Sequence, residues 1–141
     1  MPTKIYPIKG YSVTYSADEN STPKVSLLDD AAKIVTSNLG GRLRVAGTAE
    51  LAGFDRSIRP ERIEPLKKWV KNNTMVGSDP VSEYACLRPM NPDMMPTVTR
   101  GESLVVNSGA GHLGWTLCMA LAEPHQTHPT CLLYTSPSPR D

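Results

Sequence analysis

Residues 9–15 alternate, with Tyr11, Val13 and Tyr15 on one side and Ser12 and Thr14 on the other. That period predicts a half-buried β-strand. Residues 18–23 are polar and end it. Residues 25–28 and 32–36 read as two more short strands, and Asn38-Leu39-Gly40-Gly41 is turn chemistry. Residues 42–51 alternate again, Leu43 and Val45 against Arg42 and Arg44. Two strands around a glycine-rich turn make a hairpin. The first half is therefore expected to be an antiparallel sheet with one wet face.

The period then changes. Ile63, Leu66 and Val70 recur at helical spacing behind Pro60, which suits a first helical turn. Pro65 should kink that helix or delay its start, and Asn72-Asn73 should end it. Residues 83–87 predict a short strand that Arg88-Pro89 terminates, and residues 90–96 a proline-interrupted loop. Residues 103–106 (Ser103, Leu104, Val105, Val106) predict the last strand, and a helix is expected over residues 113–122. No internal repeat is visible.

With 141 residues, 13 Pro, 10 Gly and 39% apolar positions, the chain is one domain or a piece of a larger one. Fifteen basic and 14 acidic residues leave a net charge of +1. That balance gives no reason to expect nucleic acid as a partner. No apolar run approaches the roughly 20 residues that span a bilayer, and the start lacks a signal-peptide core, so a cytoplasmic location is expected. Cys86, Cys118 and Cys131 describe no disulfide framework. His125, His128 and Cys131 offer three ligands without a fourth, so no metal is expected.

Gly109-Ala110-Gly111-His112-Leu113-Gly114 has the G-x-G-x-x-G spacing of dinucleotide loops. The context argues against pyrophosphate binding, which needs a second parallel strand and an acidic residue about 20 positions on. What survives is a tight turn from a strand into a helix, with unpaired N–H groups and a positive dipole end facing whatever lies in front.

Five strings then matter together: Pro7-Ile8-Lys9-Gly10-Tyr11-Ser12, Arg42-Leu43-Arg44-Val45-Ala46-Gly47-Thr48-Ala49-Glu50, Gly53-Phe54-Asp55, Leu87-Arg88-Pro89-Met90-Asn91-Pro92-Asp93, and residues 109–116. In order and spacing they resemble the C-terminal part of the FAD-dependent D-amino acid dehydrogenases, the small-subunit branch of the D-amino acid oxidase superfamily. The resemblance covers roughly residues 4–122. It implies an α+β fold: an antiparallel substrate-domain sheet with a surface helix, then a strand–glycine loop–helix that contacts flavin, as part of an FAD/NAD(P)-binding type of oxidoreductase. It implies FAD as cofactor, a D-amino acid as substrate, hydride transfer from the α-carbon, a respiratory electron acceptor, and a location in the cytoplasm or peripheral on the inner membrane. An N-terminal FAD-binding half of the same enzyme is implied as partner. The chain alone is then expected to be inactive.

The resemblance also implies residue roles. Arg88 grips the substrate carboxylate, and Tyr11 lies on the strand leading to that pocket. Gly109, Ala110, Gly111, His112, Leu113, Gly114, Trp115 and Thr116 lie along the pyrimidine edge of the flavin. No catalytic side chain and no metal are implied. Departures are Ala110 where members commonly have His, and Met94 where a Gly usually follows the Asp. Plainer readings stay open: Arg88 capping a strand end or pairing with Asp93, His112 as a loop hydrogen-bond donor, Trp115, Tyr11 and Tyr15 as core, and Cys86 as a small buried apolar residue. Two other functions remain open, a glycine- or sarcosine-type amine oxidase and a non-catalytic module for small carboxylates. Residues 123–141 lose all periodicity and resemble a translated adapter string, so 1–122 is expected to be the native part and 123–141 a non-native or disordered tail.

Overall fold

The computed structural model describes residues 4–18, 20–101 and 104–126. Its elements run β1 (Tyr6–Ser16), β2 (Leu28–Asp29), β3 (Ile34–Asn38), β4 (Arg42–Glu50), α1 (Pro60–Asn73), β5 (Pro80–Met90), β6 (Thr97–Arg100), β7 (Val105–Ser108) and α2 (Cys118–Gln126). The fold is α+β. The chain divides into a larger unit, Pro7–Arg88, and a smaller one made of Met1–Tyr6 and Pro89–Asp141.

The larger unit is a five-stranded sheet in the order β2-β3-β4-β1-β5, packed on α1. β3 and β4 form the expected antiparallel hairpin, closed by the Leu39 N–H donating to the Arg42 carbonyl at 2.8 Å. Gly40 and Gly41 sit there at φ 60° and 73°, which glycine adopts without penalty. Tyr11, Val13, Tyr15, Ile34, Leu43 and Val45 cover one face and meet Ile63, Leu66 and Val70 of α1 in a single core. The Trp69 indole N–H donates to Asp29 at 2.7 Å and ties the helix to the end of β2.

Several boundaries differ from the sequence expectation for local reasons. β2 is only two residues long, and Ala32 and Lys33 belong to the turn before β3. The Asp29 carboxylate accepts from the Ala32 N–H at 2.9 Å, and Lys33 takes a left-handed φ of 55°. α1 runs through Pro65, beginning at Pro60 and losing only the hydrogen bond that the missing N–H would make. β5 does not stop at Arg88-Pro89 but continues to Met90. It is an edge strand, where a proline's missing donor costs no ladder bond. β1 is buried from Lys9 to Val13 on both faces and is not half wet.

Next to the core, at one end of β1 and β4, lies an ionic network with Lys9, Tyr11 and Glu50 buried and Asp55 and Arg59 exposed. Lys9 is 0% exposed. Its ammonium is 3.1 Å from Glu50 and 3.3 Å from Asp55, and it donates to the Ser57 carbonyl at 3.1 Å. The Tyr11 hydroxyl donates a short bond to Glu50, and Arg59 reaches the other Glu50 oxygen at 2.6 Å. Lys9 also lies 5.4 Å from the Tyr11 ring centre, a cation–π distance. The network arises because Lys9 and Tyr11 share a face of β1 and Glu50 ends the neighbouring strand.

The charges move each other's titration. The Tyr11 hydrogen bond, then Lys9 and Arg59, outweigh burial and hold Glu50 below the usual glutamate range. The Ser57 N–H and hydroxyl, then Lys9, hold Asp55 well below the usual aspartate range. Burial works against the Lys9 charge, but Tyr11, Glu50 and Asp55 more than offset it and raise its pKa above 10.5. Depressed carboxylates add stability above their unfolded values, about 4, and lose it as the pH falls toward the folded ones. The Lys9 contribution is present below 10.5 and is lost only in stronger alkali. Urea midpoints are therefore expected to be flat between about pH 6 and 9 and to fall below about pH 4. Glu50→Gln should flatten part of that acid limb; an unchanged limb would show that Glu50 carries none of it.

Candidate functional site

Two places carry the residues singled out in the sequence, one in each unit. In the larger unit, Arg88 is half-buried on β5, and its guanidinium lies directly over the backbone of Gly10 on β1. A methyl group built at Gly10 would overlap the guanidinium. Any side chain at position 10 would displace the guanidinium from this place. Within the larger unit no described carboxylate or carbonyl accepts from Arg88. A guanidinium carries five donors in a planar fork, a geometry that can pair with a planar anion through charge-assisted hydrogen bonds.

Tyr11 is placed in the core. Its ring is 1% exposed, and its hydroxyl is committed to Glu50. Burial, then the bond to Glu50, raises its pKa. The residue that meets Arg88 on β1 is Gly10, one position earlier and on the opposite face. Tyr15 is likewise core, whereas Cys86 is exposed. Sequence reasoning missed Lys9 and Glu50; a lysine in phase with Tyr11 and a glutamate closing the next strand were the available signals.

The β4 side of Gly10 is irregular. Gly10 pairs with Ala49 while Tyr11 pairs with Gly47, so Thr48 is an extra residue bulged out of register. Thr48 sits at φ 55°, a strained value for a β-branched residue. Its hydroxyl is buried with no hydrogen-bond partner among the described residues.

In the smaller unit, β6 and β7 form an antiparallel hairpin, Thr97 opposite Ser108 and Arg100 opposite Val105. β6 was not anticipated, although Thr97-Val98-Thr99 is a β-branched run. Ser103, expected to open the last strand, lies outside the described residues. After β7 the chain turns at Gly109 (φ 78°) and Gly111 (φ 56°). The Gly111 N–H donates to the Pro89 carbonyl at 2.9 Å, and Ala110 bridges Met90. A methyl group at Gly109 would strike Asn91 and one at Gly111 the Met90 sulfur, whereas Gly114 has room for one. Asn91 is itself fixed, donating to the Met95 carbonyl and the Thr97 hydroxyl at 2.7 Å each.

The helix after the turn starts later than expected. The first helical bond runs from the Leu117 N–H to the Leu113 carbonyl at 2.9 Å, and α2 itself begins at Cys118. Two left-handed glycines and a third at 114 disfavour helix before that point. α2 also continues to Gln126, past residue 122. Residues 127–141, including His128 and Cys131, lie outside the described residues. Along the turn, Gly109 is buried, Ala110, Gly111 and Gly114 are half-buried, and His112, Leu113 and Thr116 are exposed. Trp115 is 91% exposed and is not core. The backbone N–H groups of His112, Gly114 and Thr116 have no backbone acceptor among the described residues.

Solved structures show the same fold. A glycine oxidase from Geobacillus kaustophilus superposes with a TM-score of 0.72 at 18% identity, covering 87% of this chain and 34% of that one. An iminodiacetate oxidase from Chelativorans sp. BNC1 gives 0.67 at 18% identity, over 87% of this chain and 35% of that one. Residues 1–124 match the model of the DAO family, FAD dependent oxidoreductase. The chain belongs to that family. It is 52% identical over 124 residues to D-amino acid dehydrogenase 3 of Mesorhizobium japonicum, covering 82% of this chain and 30% of the relative. It is 42% identical over 118 residues to a D-amino acid dehydrogenase of Methylobacterium radiotolerans, covering 80% and 28%. The chain thus spans about a third or less of its relatives' length. No helix among the described residues is long and apolar enough to cross a membrane.

The glycines of the turn separate by role. Gly111→Ala should destabilise the chain by about 1–3 kcal/mol, through the positive φ and overlap with Met90. Gly114→Ala should leave the urea midpoint nearly unchanged. Equal losses at both positions would refute this division.

Proposed function

We propose that this chain supplies the substrate-carboxylate and flavin-edge contacts of a flavoenzyme that oxidatively deaminates D-amino acids to 2-oxo acids and ammonia. The observation that carries the reading is the Arg88 guanidinium, half-buried on Gly10 and without a partner among the described residues of its unit. Its planar fork matches a carboxylate with two parallel hydrogen bonds, which fixes the orientation of an α-amino acid as well as its position. The relatives at 52% and 42% identity are named D-amino acid dehydrogenases, which supports this substrate class. The likeness to the glycine and iminodiacetate oxidases, at 18% identity, supports the fold only.

The residues of the turn fit a flavin ring edge. Unpaired N–H groups at His112, Gly114 and Thr116 offer donors where a ring carbonyl and nitrogen gain negative charge on reduction. Gly114 leaves space for a flat ligand to approach, and the exposed Trp115 offers an apolar surface. FAD, when bound, accepts the hydride from the substrate α-carbon. The turn's part is to stabilise developing charge, and Arg88's part is to hold the carboxylate. No side-chain base is required when the amine binds neutral, and none is assigned. Tyr11 acts by packing and by its bond to Glu50. The electrons pass to a respiratory acceptor. The work of this chain is confined to these contacts, and the rest of the reaction belongs to the length its relatives add.

In the flavin-loaded protein, Arg88→Lys should raise the KM for D-alanine about tenfold and Arg88→Ala about a hundredfold or more. Charge-assisted bonds are worth about 1.5–3 kcal/mol each, and about 1.4 kcal/mol is a factor of ten. Steady-state dye reduction at varied D-alanine reads both. An unchanged KM in Arg88→Ala would defeat the assignment.

A further inference from the structure

We infer that the buried Lys9–Tyr11–Glu50 cluster, with Asp55 and Arg59 on its exposed side, seats Arg88, which makes Lys9 and Glu50 positioning residues for substrate-carboxylate binding. The inference rests on the proposed role of Arg88 and adds the device that holds it.

The network brackets one backbone pair. Lys9 and Tyr11 are the residues on either side of Gly10, and Glu50 follows Ala49, the partner of Gly10 across the ladder. Lys9 and Tyr11 both reach the same Glu50 oxygen, the first at 3.1 Å. Arg88 lies over the other face of Gly10, so a shift of that backbone carries its seat with it. Asp55 and Arg59 fasten the following loop to the same charges at 3.3 Å and 2.6 Å.

The bracketed pair sits beside a strained bulge. Thr48 occupies the left-handed region and its hydroxyl has no hydrogen-bond partner among the described residues. Both features favour an unbulged ladder. Removing the bulge slides the end of β4 by one residue against β1, and a one-residue slip turns every following side chain to the opposite face. Glu50 would then leave the face that holds Lys9 and Tyr11, and the ammonium would lose its buried counter-charge. The network therefore selects the bulged register. A buried ion pair is a weak source of net stability, but breaking it singly is costly, so its effect is to choose one geometry over its neighbours. That register keeps Lys9 and Tyr11, the two neighbours of Gly10, tied to Glu50.

The test uses nitrogen-15 relaxation of the Arg88 Nε–H in the chain, with acetate as the carboxylate probe. The variant is Lys9→Met combined with Glu50→Gln, which removes both charges and leaves similar volume. A folded double variant should show the Arg88 Nε–H heteronuclear NOE dropping to the level of the exposed Arg56, with acetate affinity about tenfold weaker. Lys9→Arg, which keeps the charge, should restore most of the order. A folded double variant whose Arg88 NOE equals the wild-type value overturns the inference. If the double variant does not fold, Asp55→Asn, which removes one Lys9 partner outside the strands, is read the same way. A partial loss of order supports the inference, and no loss overturns it. Wild-type chain that shows no acetate shift at Arg88 defeats the carboxylate role instead, while the NOE comparison still decides the seating.

Discussion

The guanidinium of Arg88 rests on the backbone of Gly10 so closely that no side chain fits between them. Much of the larger unit follows from that contact. It goes with β5 lying beside β1, a residue without a side chain at position 10, and an extended chain through Arg88 and Pro89 where a strand end was expected. It also explains why β1 is covered on both faces, with the α1 core on one and Arg88 and Arg44 on the other; the Arg44 guanidinium donates to Ser12 at 3.4 Å. No described carboxylate within its unit meets that positive charge.

A cost appears at the bulge. Thr48 is strained and its hydroxyl has no partner among the described residues, while four charged side chains and a phenol gather around the neighbouring backbone pair. An apolar end to this core would be easier to build. Charge is selective: the bulged register brings Glu50 to Lys9 and Tyr11, the neighbours of Gly10 on which Arg88 rests. Local strain beside a proposed binding group, held by a buried polar network, is the pattern expected where geometry has priority over stability.

The sequence made much of this legible and obscured the rest for identifiable reasons. The alternation of Tyr11, Val13 and Tyr15, the Gly40-Gly41 turn and the Ile63, Leu66, Val70 stripe gave the sheet, hairpin and helix with the correct inner faces, because burial of one face dictates those periods. Boundaries slipped where side chains overrule the period, as at Asp29 before β3 and at Pro89 within an edge strand. β6 was hidden because a four-residue strand following a proline loop carries too little pattern. Within the candidate site, Arg88 and the glycine turn stood out by their motifs. Lys9 and Glu50 did not, since their meaning lies in a cross-strand pairing that a linear reading cannot place. The three glycines looked alike in sequence, yet Gly109 and Gly111 serve Asn91 and Met90, and only Gly114 is left open.

The chain belongs to the FAD dependent oxidoreductase family, and Arg88 and the turn at residues 109–116 are the contacts proposed for it. The most direct measurement is a crystal structure of the flavin-loaded protein with acetate in place of the substrate. The account predicts a carboxylate held by two parallel bonds from Arg88 at about 3 Å, with the pyrimidine edge of the ring against residues 109–116. A carboxylate bound by another group, with Arg88 turned to solvent or paired with a protein acid, would contradict it.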